Sequence, residues 1–179
     1  MYILSQILVT ISDAFCILSM LSKNKKGIVF YLLISTILFA SHYICLGGWT
    51  GAGIALIELV FLILMYILEL KEKTQYSKYL SIATIIATIV LTIFTWAGWI
   101  SVLPMLAMVI YLIAMMFKNV IIVKTGTFIR LILNSLYMVL IASYLGAGLT
   151  VVILAFTIYG IVRDCKTEKQ KEIVKSETE

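Results

Sequence analysis

Four ionisable side chains fall inside long apolar runs: Asp13, His42, Glu58 and Arg130. Asn134, one helical turn beyond Arg130, joins them. A charged group at the centre of a bilayer costs roughly 2.5–3.5 kcal/mol on insertion scales, so each needs a partner, a water-filled cavity or a neutral form. The chemistry open to this set is ion pairing, hydrogen bonding to a polar solute and proton carriage. Glu58, near the middle of its run, reads either as a solute acceptor or protonatable group, or as a carboxyl bonded to a neighbouring helix. Asp13 is placed to pair with Arg130 across a bundle. His42 reads as an interhelical hydrogen-bonder: without a second histidine or paired cysteines, no metal site is expected. The depth of Arg130 turns on where its helix starts. A start near Thr127 lets the guanidinium reach the interface; a start near Val120 buries it and demands a carboxylate. Asn134 fits a cavity wall or interhelical contact.

The residues that carry these groups are 63% apolar and 13% charged over 179 residues, with one proline. A water-soluble fold carries about 25% charged residues. The apolar runs are continuous and close to the roughly 20 residues that cross a bilayer as a helix; barrel strands would be shorter and would alternate. Seven helices are expected near 3–21, 28–46, 50–69, 79–97, 100–117, 124–142 and 146–163. The first run contains Asp13 and has no small-residue cleavage site, so it reads as a retained helix rather than a cleaved signal. Cys16, Cys45 and Cys165 lack paired or metal-type spacing and read as packing residues or free thiols.

Thirteen of the 14 Lys and Arg residues fall in alternate loops and the tail: Lys23, Lys25 and Lys26; Lys71, Lys73 and Lys78; Lys118 and Lys124; Arg163 onward. The other loops carry no charge. This asymmetry predicts an external N-terminus and a cytoplasmic C-terminus. Trp49, Trp96 and Trp99 fall at the opposite interface as an aromatic belt. The polar tail, 164–179, reads as a short frayed cytoplasmic extension.

The chain also resembles itself at an offset of 94–95 residues. Lys23-Asn24 recurs as Lys118-Asn119, Tyr43 as Tyr137, Gly51-Ala52-Gly53 as Gly146-Ala147-Gly148, and Glu69 as Asp164. Two parallel three-helix repeats joined by one linker helix follow, with repeat 1 over 1–70, the linker over 71–98, repeat 2 over 99–163 and the tail beyond. The polar residues are not repeated: Asp13 aligns with Met108, His42 with Leu136, Glu58 with Ile153 and Arg130 with Thr36.

This three-plus-one-plus-three plan resembles the SWEET and PQ-loop transporter superfamily. More closely, His42-Tyr43, Leu46-Gly47, Thr50-Gly51, Leu103-Pro104-Met105 and Lys118-Asn119 look like the YgjV family of bacterial inner-membrane proteins. The resemblance implies an all-helical membrane fold, an inner-membrane address and a cavity lined by helices 1, 2, 5 and 6. No Pro-Gln pair occurs, and Pro104 has Val9 at its repeat position, so a hinge is expected in helix 5 alone. The expected function is a small-solute transporter or facilitator for a sugar, nucleoside or similar polar metabolite, working by alternating access. Asp13, His42, Glu58, Arg130 and Asn134 are its candidate binding residues. The other reading is a non-transporting scaffold or partner of a membrane complex, with Asp13–Arg130 as a structural pair. No hydrolase signature, phosphate loop or HExxH is present. Neither an enzyme nor a nucleic-acid binder is expected, no cofactor is required, and the chain is expected as a monomer or homodimer in the bilayer.

Overall fold

The computed structural model describes residues 2–71, 74–96 and 98–178. These are almost wholly helical: α1 Tyr2–Leu21, α2 Lys25–Leu46, α3 Trp49–Leu70, α4 Ser77–Phe94, α5 Val102–Met115, α6 Val120–Leu140 and α7 Tyr144–Thr178. Short 3₁₀ turns at Thr74–Tyr76 and Trp99–Ser101 lead into α4 and α5. Six of the helices are long and apolar enough to cross a membrane, and Trp99–Met115 forms a shorter apolar one. Lys73, counted above among the loop cations, lies outside the described residues.

The helix ends follow from local chemistry. Asn24 and Asn119, the recurring Lys-Asn asparagines, cap α2 and α6: their side chains accept from Gly27 N and Ile121 N at 2.7 Å each. The α2–α3 turn passes through Gly47 at φ 72°, and the α6–α7 turn through Ala142 at φ 59°. In both, the next amide donates to the carbonyl five residues back, Gly48 to Tyr43 and Ser143 to Met138. Ala142 holds a left-handed backbone that costs roughly 1–2 kcal/mol for a residue with a Cβ.

Pro104 sits in the first turn of α5, directly after the 3₁₀ turn. A proline is tolerated there because its missing N–H falls where helical donors lack partners. It therefore starts a helix rather than kinking one mid-span. The tail also departs from expectation, because α7 continues to Thr178 instead of fraying after 163.

Six helices close into a ring in the order α1, α2, α3, α5, α6, α7 and back to α1, and α4 packs outside on α3 and α5. Polarity is turned inward. The buried stripe of α4 is Ser77, Ser81, Thr84, Thr88 and Thr92, while Ile82, Ile86, Val90 and Ile93 face outward. Thr84, Thr88 and Thr92 each donate to the carbonyl four residues back at 2.8 Å. Hydroxyls satisfied within their own helix suit a surface pressed against other helices, and aliphatic side chains suit lipid.

Two glycines on α7 separate close packing from open space. A Cβ on Gly160 would lie 2.5 Å from the Met20 carbonyl oxygen, whereas one on Gly148 would meet nothing within 4 Å. Gly160→Val is expected to lower the detergent melting temperature by several degrees, since overpacking costs about 1–3 kcal/mol. Gly148→Ala is expected to match or slightly exceed wild type, because alanine favours helix by up to about 1 kcal/mol. Equal melting temperatures for the two variants would contradict the α1–α7 contact.

Candidate functional site

Glu58 lies near the midpoint of α3, and Arg130 near the midpoint of α6. Because α6 begins at Val120, the Arg130 guanidinium cannot reach an interface and needs a carboxylate. Its partner is Glu58, not Asp13 as the sequence suggested. The pair is bidentate: Nη1 donates to Glu58 Oε1, and Nη2 to Oε2 at 2.8 Å. The guanidinium also stacks over the Tyr111 ring of α5, with Cζ 4.5 Å from the centroid. Two planar contacts fix the plane of the fork, which lysine could not reproduce.

The pair borders a partly enclosed cavity of about 40 Å³, room for roughly three waters. Its polar lining comes from Ser35 and Thr36 of α2, Thr127 and Asn134 of α6, Thr150 of α7 and Cys16 of α1. The lining therefore draws on the whole ring, with α2, α3 and α6 supplying most of it, rather than on helices 1, 2, 5 and 6. Pro104 lines it from α5. Thr127 and Thr150 spend their hydroxyl protons on Val123 O and Gly146 O. Asn134 makes no hydrogen bond among the described residues.

Apolar clusters flank the cavity at both ends. On the tryptophan-bearing side, Tyr43 and Tyr137 meet edge to face, 5.9 Å apart, beside Ala52, Ala55 and Met138. A Cβ on Gly51 would stand 3.0 Å from the Tyr137 ring and 3.3 Å from that of Tyr43, so a larger residue there would press on the tyrosine pair. On the opposite, lysine-bearing side the layer is thicker and includes Met20, Ile28, Phe61, Leu62, Met65, Leu112, Met115 and Val123.

His42 and Asp13 do not line this cavity. His42 is fully buried and joins three elements. Its Nδ1 lies 2.8 Å from the Ser5 hydroxyl and 2.9 Å from the Ser5 carbonyl oxygen, and its Nε2 lies 3.2 Å from the Ser143 hydroxyl. This is the interhelical role expected for it. Asp13 is 3% exposed, and neither carboxylate oxygen has a hydrogen-bond partner among the described residues. It stands one turn before Cys16 on the inner face of α1.

Two buried lysines, missed at the sequence level, hold the opposite end. Lys25 donates to the Met115 carbonyl at 3.0 Å and lies 3.3 Å from Glu69. Lys124, with no exposure at all, pairs with Asp164 at 2.6 Å and packs where Gly160 faces the Met20 carbonyl. Both lie among the basic residues counted as loops, which hid them. The Lys-Asn caps at the same helix starts were the available signal.

Removing one member of the central pair strands the other in hydrocarbon. Arg130→Met is expected to destabilise the chain by about 3–5 kcal/mol, and adding Glu58→Leu should recover much of that loss. Chemical and thermal unfolding in detergent of the two single variants and the double variant supply the cycle. A double variant no more stable than Arg130→Met would refute the pairing.

No metal-competent group of three or more His, Cys, Asp or Glu residues occurs among the described residues. No curated protein and no solved structure matches the chain. A family model described as a bacterial inner membrane protein, Imp-YgjV, matches residues 3–168, and the chain belongs to that family.

Proposed function

We propose that the chain is a small-solute transporter or facilitator of the inner membrane, not an enzyme, and that the cavity at Glu58, Arg130 and Asn134 is its solute site. One observation carries the reading: a mostly apolar cavity at mid-depth that holds a buried ion pair and the unpartnered amide of Asn134. A scaffold gains nothing from such a cavity, whereas transporters built from parallel repeats hold their solute near the bilayer midplane between the repeats. The scaffold reading also leaned on an Asp13–Arg130 pair, and Arg130 is bonded to Glu58 instead.

In this proposal α1–α3 and α5–α7 are parallel halves, and α4 is the linker that restores direction. Matching features support it. Asn24 and Asn119 cap equivalent helices, and Gly47 and Ala142 turn equivalent corners. Tyr43 and Tyr137 touch each other, as equivalent residues beside a two-fold axis would. The contacts between halves, α1 with α7 and α3 with α5, are themselves equivalent. This is the SWEET-like plan that the sequence resembles. The tryptophans then face outward, the C-terminus is cytoplasmic, and the Tyr43–Tyr137 pair is the outer gate. The solute is a small polar metabolite of the sugar, nucleoside or related classes, and the cavity, with room for about three waters, must widen to admit it.

With Cys16, Cys45 and Cys165 replaced by serine, Asn134→Cys should react with a small charged methanethiosulfonate reagent applied to intact cells. Adding Gly51→Ala, which pushes on Tyr137, should raise that rate several-fold. A cysteine inert in both backgrounds, in folded protein, would exclude an access route from this side and count against the transport reading. A reporter fused to the C-terminus should be active only in its cytoplasm-dependent form; the reverse result would invert the assigned gates.

A further inference from the structure

The guanidinium keeps unused donors beside the cavity. A guanidinium carries five N–H groups, and Glu58 occupies two of them. No other acceptor meets the guanidinium among the described residues, so three donors remain. Asn134, one turn on along the same face of α6, adds an unpartnered amide. Thr127 and Thr150 have their protons committed and can only accept. Exposure points the same way: the Arg130 side chain is 14% accessible and that of Glu58 4%. The cation faces the cavity more than the carboxylate does.

We infer that the solute carries a carboxylate, which docks on Arg130 and Asn134 and takes the place of Glu58. This deepens the transport proposal and rests on it. A planar carboxylate matches the fork of an arginine through two parallel hydrogen bonds, which a neutral polyol cannot form. A cationic solute would instead need Glu58, whose side chain is only 4% accessible against 14% for Arg130. The exchange has a charge consequence. Bound to Arg130, the solute leaves Glu58 ionised without a partner in a low-dielectric interior, a costly state. One proton taken up by Glu58 restores neutrality, so solute and proton travel as a neutral pair. The titratable groups facing Glu58 are Arg130 on α6, Tyr111 on α5, Cys16 on α1 with Asp13 one turn before it, and Tyr43 on α2. No second cation stands among them to take over from Arg130.

The test uses matched solutes on the full-length chain purified in detergent. Lactate is set against lactamide, and gluconate against glucose, with methylammonium as the cation, each scored by melting temperature and calorimetry. At least one carboxylate is expected to raise the melting temperature while its neutral match does not. Its binding heat should vary with the ionisation enthalpy of the buffer in proportion to one proton taken up. Glu58→Gln removes the competing charge but keeps the shape. It should bind the same carboxylate about 10-fold more tightly or better, a gain of about 1.4 kcal/mol, with no proton uptake. Arg130→Lys should lose binding, and Asn134→Ala should weaken it several-fold in protein whose circular dichroism is unchanged. Binding of glucose, lactamide or methylammonium without either carboxylate would overturn the carboxylate assignment and leave the transport reading standing. So would carboxylate binding that Arg130→Lys leaves intact. Silence from every probe in both wild type and Glu58→Gln overturns the inference, and reactivity at Asn134→Cys then decides separately whether the cavity is a passage at all.

Discussion

Hydrocarbon does not solvate a guanidinium or a carboxylate, and this constraint organises the molecule around Glu58 and Arg130. Each residue alone would be expelled from mid-membrane or would carry a heavy insertion cost. Together they satisfy each other only if α3 and α6 face one another across the ring at the same depth. The Tyr111 ring then fixes the guanidinium plane from α5. One buried ion pair thus sets the relative height of three helices that hydrophobic matching alone would leave free to slide, because lipid tails are as apolar as the side chains they would contact. Ion pairs in interiors are weak sources of net stability but attested sources of register. Here the register and the cavity wall are the same feature.

The same constraint explains the inverted surface. With lipid as the outer solvent, hydroxyls and small residues turn inward and large aliphatic residues turn out, as the two faces of α4 display. At the lysine-bearing end, buried cations are held by carboxylates and a helix-end carbonyl rather than by water. The Lys25–Met115 contact ties α2 to the end of α5, and the Gly160–Met20 approach brings α7 to the end of α1. Those contacts make this end the more firmly closed. The tyrosine end is held by an aromatic contact over Gly51 and by the hydrogen bonds of His42 to Ser5 and Ser143, with no ion pair among the described residues.

Much of the fold was legible because its determinants are local. Apolar runs gave the spans to within a few residues, and the Lys-Asn pairs proved to be helix caps, a role set by three or four consecutive residues. The start of α6 was open between Val120 and Thr127, since Asn119 and the Lys124–Thr127 stretch both look like starts; the asparagine cap decided it. Partner choice was not legible. Glu58 and Arg130 lie 72 residues apart, and nothing in one strip of sequence tells whether Asp13 or Glu58 shares Arg130's depth and faces it across the ring. Asp13 was chosen on its span position, but it lies on α1 with its oxygens unpaired. The tail was misjudged for another reason. Polar composition argued against packing, yet its Lys- and Glu-rich run has good helix propensity and simply extends α7.

Taken as two parallel halves, the chain places unlike residues at like positions around the cavity. Tyr111 stands where the first half has Cys16, and Arg130 where it has Thr36; Glu58 stands where the second half has Ile153. Under the transport proposal the frame needs equivalence, because both ends would open by the same kind of motion. The contents need the opposite, because a two-fold set of arginines or glutamates would repel itself in a dry interior. Dividing the charges, the acid on one half and the base on the other, makes the central ion pair a bond between the halves. Whatever occupies Arg130 in place of Glu58 therefore both fills the site and loosens the two bodies that must move. In that proposal binding and release of the frame are one event, and the ion pair holds the two halves together while the cavity is empty.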